Sequence, residues 1–257
     1  METLSITALE AFGLYLVRTS VLVLGSPILG TGTGFSGYKI ALIVGVSTAL
    51  YLSTGEPLAA EVGSVHDGLL CLREVLIGLF LAFILQAVLL AVRVAGEIVG
   101  HEMAFNMASV VDPATGVRTP LITQFYEAIF FLGLLAVNGH HWMLRALGSS
   151  FSRAPIGHLE FNQGAVPMLQ ELFGQMFKAG ITFAAPVLVL LVLVSVLIGL
   201  MARVVPQVNV LEIGFTMRIT VALVTMTLLA PLLAPAMDVL FNHLMDGLDA
   251  GLDVLGA

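Results

Sequence analysis

The sequence predicts an all-α protein built of membrane-associated helical hairpins. Three observations carry that reading. Hydrophobic residues make up 58% of the 257-residue chain and charged residues only 11%, with a mean hydropathy of +1.04. A soluble domain usually carries about 25% charged residues, so this chain has too little charge to keep a water-facing surface dispersed. Three charge-free runs, Val75–Val92, Ala179–Ala202 and Ile219–Met237, reach 18, 24 and 19 residues, and a membrane-crossing helix needs about 17–25. Finally, no stretch shows the alternation of strands and helices that an α/β fold requires.

The elements follow in chain order. Met1-Glu2-Thr3-Leu4 lacks the positive start of a cleaved signal peptide, and Glu10 and Arg18 interrupt the first apolar run. Gly25-Ser26-Pro27 and the glycines at 30, 32, 34 and 37 end that helix near Leu24 and open a loop. Ile40–Leu52 is 13 residues long before Ser53-Thr54-Gly55, too short to span alone. After the span Val75–Val92 comes a segment of a different kind, Val94–Val111. It sets Glu97, His101, Glu102 and Asn106 among Ile98, Val99, Met103, Phe105 and Met107, and runs into the turn Asp112-Pro113-Ala114-Thr115-Gly116. Polar, irregular backbone at membrane depth is tolerated only inside protein or along an aqueous path. Ala128–Gly139 is another short apolar helix.

The last two long runs form a hairpin joined by Arg203–Arg218. No Lys or Arg follows Ile219, and the tail carries Asp238, Asp246, Asp249 and Asp253. The positive-inside rule therefore predicts a cytoplasmic Arg203–Arg218 loop and an external C-terminus. Leu240, Leu244, Leu248 and Leu252 recur every fourth residue, as in an amphipathic helix lying on a partner.

Several chemistries are excluded. With 10 Lys+Arg against 17 Asp+Glu, a net charge of −7 and no basic stripe, nucleic-acid binding has no electrostatic support. The single cysteine, Cys71, excludes an internal disulfide and a multi-cysteine metal site. Gly32-Thr33-Gly34-Phe35-Ser36-Gly37 matches a dinucleotide-binding glycine pattern, but without the strand and parallel sheet that pattern needs it reads as an inter-helix turn. His101-Glu102 begins a zinc-protease motif whose second histidine is replaced by Phe105. His140 and His141 are adjacent, about 100° apart on a helix, and do not chelate as a pair. Neither a nucleophile–base set nor a cofactor site is found. Glu97, Glu102 and Glu127 are candidates for proton coupling, since ionisable residues among apolar ones are functional by default; the competing reading, that they bond neighbouring helices or face a wet channel, is preferred. Met103, Phe105, Met107 and Val110 read equally as ordinary packing or as a flexible apolar seal.

The order of several short motifs then resembles a known family. Val94-Ala-Gly-Glu97-Ile-Val-Gly100, Val111-Asp112-Pro113, Asn138-Gly139-His140, Ser150-Phe151 with Pro155-Ile156-Gly157, and Arg203-Val-Val-Pro206-Gln207-Val-Asn209 are together similar to the FliR family of flagellar export-gate membrane proteins, whose virulence counterpart is the SctT family. The resemblance covers essentially the whole chain. It implies a non-enzymatic subunit at the bacterial inner membrane, in the flagellar basal body and largely toward its periplasmic side. It also implies a helical, multi-subunit pore formed with FliP-like and FliQ-like partners, fed by FlhA and FlhB and passing unfolded flagellar subunits. Residues 1–165 would be FliP-like and include the plug loop; residues 166–257 would be a FliQ-like hairpin with the acidic tail. Met103, Phe105, Met107 and Val110 would then plug the closed pore, with Asp112, Pro113 and Gly116 forming its turn. Asn138, Gly139, His140, Pro206, Gln207 and Asn209 would be interface positions. A small-solute transporter would show an internal repeat with paired broken helices, and none is found.

Overall fold

The computed structural model describes residues 2–27, 36–55, 64–103, 121–156, 164–205, 207 and 209–256. Among them the regular structure is helical throughout: α1 (Glu2–Gly25), α2 (Ser36–Thr54), α3 (Ser64–Glu102), α4 (Leu121–Ala136), α5 (Gly139–Arg153), α6 (Ala165–Val204) and α7 (Val210–Gly256). Five of these, α1, α2, α3, α6 and α7, contain stretches long and apolar enough to cross a membrane, and α4 with α5 make one more only as a bent pair. This is a membrane protein.

Three expectations change. Ile40–Leu52 is not an isolated short helix, because α2 is 19 residues long and Gly37–Thr54 qualifies as a span. The helix does end at Ser53-Thr54-Gly55, where Ser53 Oγ and Thr54 Oγ1 both donate to the Leu50 carbonyl at 2.9 Å; the added length is chiefly Ser36–Lys39 at its start. Val94–Val111 is not separate from the preceding span, since α3 continues unbroken through Glu102. Glu97 and His101 stay exposed on that helix and so do not break it. The third change concerns the tail leucines. Leu240, Leu244, Leu248 and Leu252 are all buried within the chain itself, on the end of the 47-residue α7.

The chain forms two compact units. The first comprises residues 1–87, 135–172 and 243–257. Its core is aromatic around Tyr15, whose ring stacks on Phe151 at 4.1 Å and meets Tyr51 edge-on at 5.6 Å. The second comprises residues 88–134 and 173–242. There Phe130 lies 5.6 Å from Phe241, and Tyr126 lies 5.3 Å edge-on from Phe183. Gly96 lets α3 and α4 touch backbone to backbone, because a Cβ at this position would sit 2.5 Å from Thr123 Cα. Within this unit α6 and α7 run as a hairpin, with Gly214 facing Ile198.

Candidate functional site

The expected plug begins where α3 ends. Met103 is fully buried, and its N–H still bonds to the Val99 carbonyl at 3.0 Å, so it extends the last turn of the helix. Phe105, Met107, Val110, Asp112, Pro113 and Gly116 lie outside the described residues. What the structure does give is the frame of helices on either side of these residues.

That frame belongs to the second unit. Arg93 Nε on α3 donates to Glu127 Oε1 on α4 at 2.5 Å, so an ion pair ties α3 to α4. Gly96 against Thr123 brings the same helices into close contact one turn further on. Arg218 Nη1 on α7 lies 3.4 Å from the Glu102 carbonyl, placing a cation at the carbonyl end of α3, where the helix dipole favours it. Of the three acids singled out by sequence, Glu127 is therefore bonded to a neighbouring helix, Glu97 is exposed and Glu102 is half-buried.

The other motif positions are corners. Asn138 adopts the left-handed conformation (φ 57°, ψ 32°) and precedes α5, a backbone state that asparagine tolerates better than most residues. Gly139 is buried beneath it, and the His140 and His141 rings lie 4.2 Å apart. Pro206 lies outside the described residues, while Gln207 and Asn209 are exposed at the tip of the α6–α7 hairpin. Asn209 caps α7: the Glu212 N–H approaches its Oδ1 at 3.5 Å, and its Nδ2 donates to Glu212 Oε2 at 3.3 Å. The first contact is the N-cap half of a capping box; the second joins the two side chains.

One buried polar cluster among the described residues was missed by sequence reasoning. In the first unit Arg18, Glu74 and Arg73 are buried together. Arg18 Nε donates to Glu74 Oε2 at 2.5 Å, and Arg73 Nη1 donates to Glu74 Oε1 at 3.0 Å. Arg18 also donates to Ser150 Oγ at 3.2 Å and to the Ala154 carbonyl at 2.9 Å, while Arg73 reaches the Pro155 carbonyl at 2.9 Å. The Arg18 guanidinium stands 4.2 Å from the centre of the Phe151 ring, within cation–π range. Ser150, Phe151 and Pro155, quoted above for their resemblance to the family, thus surround this cluster. Both carboxylate oxygens are occupied by guanidinium groups. The cluster therefore joins α1, α3 and the end of α5, and offers no free acid to a substrate. The available signal was Arg18 inside an apolar run and Arg73-Glu74 just before the charge-free stretch, both exceptions to the rule that charge avoids membrane segments.

Comparison with known proteins gives a consistent answer. Residues 9–244 match the family described as bacterial export proteins, family 1. The chain is 31% identical over 231 residues to the flagellar biosynthetic protein FliR of Escherichia coli (strain K12), covering 90% of this chain and 88% of that protein. It is likewise 31% identical over 217 residues to FliR of Bacillus subtilis (strain 168), covering 83% of each. Similarity extends to the surface presentation of antigens protein SpaR of Shigella sonnei, 25% identical over 199 residues, covering 77% of this chain and 76% of that protein.

Proposed function

The chain belongs to the bacterial export proteins, family 1, whose members are export components and not enzymes, and from that premise we propose that it is a subunit of the flagellar type III protein export gate. In this reading it joins FliP-like and FliQ-like subunits in the inner membrane, largely toward the periplasmic side. The pore they form passes unfolded flagellar subunits delivered by FlhA and FlhB. Residues 1–165 act as the FliP-like part and residues 166–257 as the FliQ-like part.

One observation carries the assembly reading. Only 22% of the most apolar 18 residues of α6 and 17% of those of α7 are buried. Bulky residues such as Val189, Leu193, Val196, Leu200 and Leu228 stand exposed along them. Apolar area on this scale marks surfaces that meet lipid or protein partners. The deciding experiment is purification of the tagged chain in mild detergent. FliP-like and FliQ-like proteins should come with it in fixed ratio; a homogeneous oligomer of this chain alone would sink the proposal.

The plug is assigned to Met103, Phe105, Met107 and Val110. A dry apolar constriction holds back water and ions, so Met107→Ser with Val110→Ser should raise ion leak in cells making the whole gate while gate yield holds. Normal conductance with collapsed yield would make these ordinary packing residues, since each polar group buried there costs about 1–3 kcal/mol. The hairpin tip between Val204 and Val210 is assigned to the cytoplasm; Arg203 and Arg218, expected in a loop, lie on the two helices that flank it. The apolar stretch Glu212–Pro231 of α7 is 20 residues long, about 30 Å at about 1.5 Å per residue, enough to cross a hydrocarbon core of about 30 Å once. Cysteines placed at Gln207 and Asp249 in a Cys71→Ala background should therefore label from opposite sides of the membrane. Labelling of both from one side overturns the orientation.

A second reading, a virulence type III secretion gate, draws on the 25% identity to SpaR. The flagellar reading is preferred on the 31% identity to two FliR proteins. Restored motility on expression in a strain lacking its own FliR separates the two.

A further inference from the structure

We propose that the first unit carries a binding groove for one acyl chain of an anionic phospholipid, with the lipid phosphate held by Arg73. The inference rests on the membrane-embedded reading above. A groove of about 500 Å³ runs along α3 from Arg73 to Gln86. Its floor is the exposed stripe Leu76, Leu79 and Phe83, and its opposite wall includes Ala165, Leu169 and Leu255. At the far end Gln86 Nε2 donates to the Gly25 carbonyl at 3.0 Å.

The lining selects the occupant. The α3 residues along the groove span thirteen positions, about 20 Å of helix rise. Apart from Arg73 and Gln86 the lining is apolar, a track for a hydrocarbon chain with a cation at one end for its headgroup. Depth agrees. Arg73 and Glu74 immediately precede the charge-free run that starts at Val75, which puts them at the membrane interface. Gln86 lies 11 residues beyond Val75, about 16 Å deeper, near the middle of a core about 30 Å thick.

Charge specifies the headgroup. Arg18, Arg73 and Glu74 together carry one excess positive charge. Arg73 is only 4% exposed, lines the groove, and has its Nε without an acceptor. A buried guanidinium N–H without a partner is costly, and phosphate oxygens are its strongest acceptors. Asp253, next to the lining residues at the chain's end, is itself paired with Arg153.

The test uses the full chain in mild detergent, offered palmitoyl-oleoyl phosphatidylglycerol or the phosphatidylcholine of the same chains, with retained lipid counted by native mass spectrometry. One phosphatidylglycerol per chain should be held, about fivefold in preference to phosphatidylcholine. Arg73→Gln should lose the preference and Arg73→Lys should keep most of it. Ala165→Trp, which fills the groove away from the charged cluster, should abolish retention of either lipid with an unchanged helical spectrum. Equal retention of the two lipids by the unaltered chain, or undiminished retention in Ala165→Trp, would overturn the proposal. Loss of the lipid when FliP-like and FliQ-like subunits assemble would assign the groove to a subunit instead, and also overturn it. A chain that fails to pellet with alkali-washed membranes would refute the membrane reading itself, independently of the lipid count.

Discussion

Helices α3 and α6 are equally apolar, each with a mean hydropathy of 2.9 over its most apolar 18 residues, yet 67% of that stretch is buried in α3 and only 22% in α6. The difference lies in how the side chains are distributed, not in how hydrophobic they are. Along α3 small residues recur at contacts: Gly78 against the Arg18 carbonyl and Val21, and Gly96 against Thr123. Its charges find partners inside the chain, Glu74 with Arg18 and Arg93 with Glu127. Along α6 the buried positions Leu172, Met176, Gly180, Ala184, Val187, Leu191 and Val194 form one stripe at three- and four-residue spacing. The remaining faces carry exposed Val and Leu. One helix is wrapped by its own chain; the other is left for lipid or for partner subunits. Hydropathy reports that a segment avoids water and is silent about what covers it.

Substitutions on the two helices should separate these roles. The largest effect is expected at Glu74. Glu74→Leu leaves two buried guanidinium groups without their carboxylate, a change worth about 3–5 kcal/mol. Denaturant titration of the purified chain in detergent should show the folded state lost or its midpoint sharply lowered, and an unshifted midpoint would mean the cluster is solvated. Gly96→Ala comes next, because its Cβ would meet Thr123 Cα at 2.5 Å. Forcing α3 and α4 apart should cost about 1–3 kcal/mol in the same titration, and a neutral result would show that this contact relaxes freely. The smallest effect on the isolated chain belongs to the hairpin. Leu193 is 53% exposed, so Leu193→Ala should change stability by no more than about 0.5 kcal/mol while reducing recovery of FliP-like and FliQ-like subunits. If the isolated chain is destabilised as much as by Gly96→Ala, the outer face of α6 is core and the contrast between the helices collapses.

Legibility from sequence varied with the kind of signal. The hairpin of α6 and α7 was readable because its charge-free runs are long and the connection is marked by Pro206 and Asn209. The end of α1 was readable from Gly25-Ser26-Pro27, since the helix stops at Gly25. The span in α2 was obscured at its start, because Gly37 and Lys39 look like the end of the glycine-rich loop, although both are helical. Of the expected site, Met103 and the corner residues have a described place, and the residues between Met103 and Leu121 lie outside the described residues. The Arg18–Glu74–Arg73 cluster was unreadable as a unit: Arg18 stands 56 positions from Glu74, and nothing local to either end announces the other.

By itself, then, the sequence determined the solvent this chain avoids, the helical character of nearly every segment, and the motif order that places it among export proteins. These follow from composition and short-range spacing, which act along the chain. Only the tertiary structure decided which apolar faces are spent internally. The tail leucines were expected on a partner and are buried in the chain itself, while equally apolar residues of α6 stay exposed. Likewise only folding brings Arg18 to Glu74 and sets Arg73 at the mouth of a groove. A charge in a membrane segment is tolerable when a counter-charge and carbonyls meet it in space, and that meeting depends on helix packing rather than on neighbours in sequence.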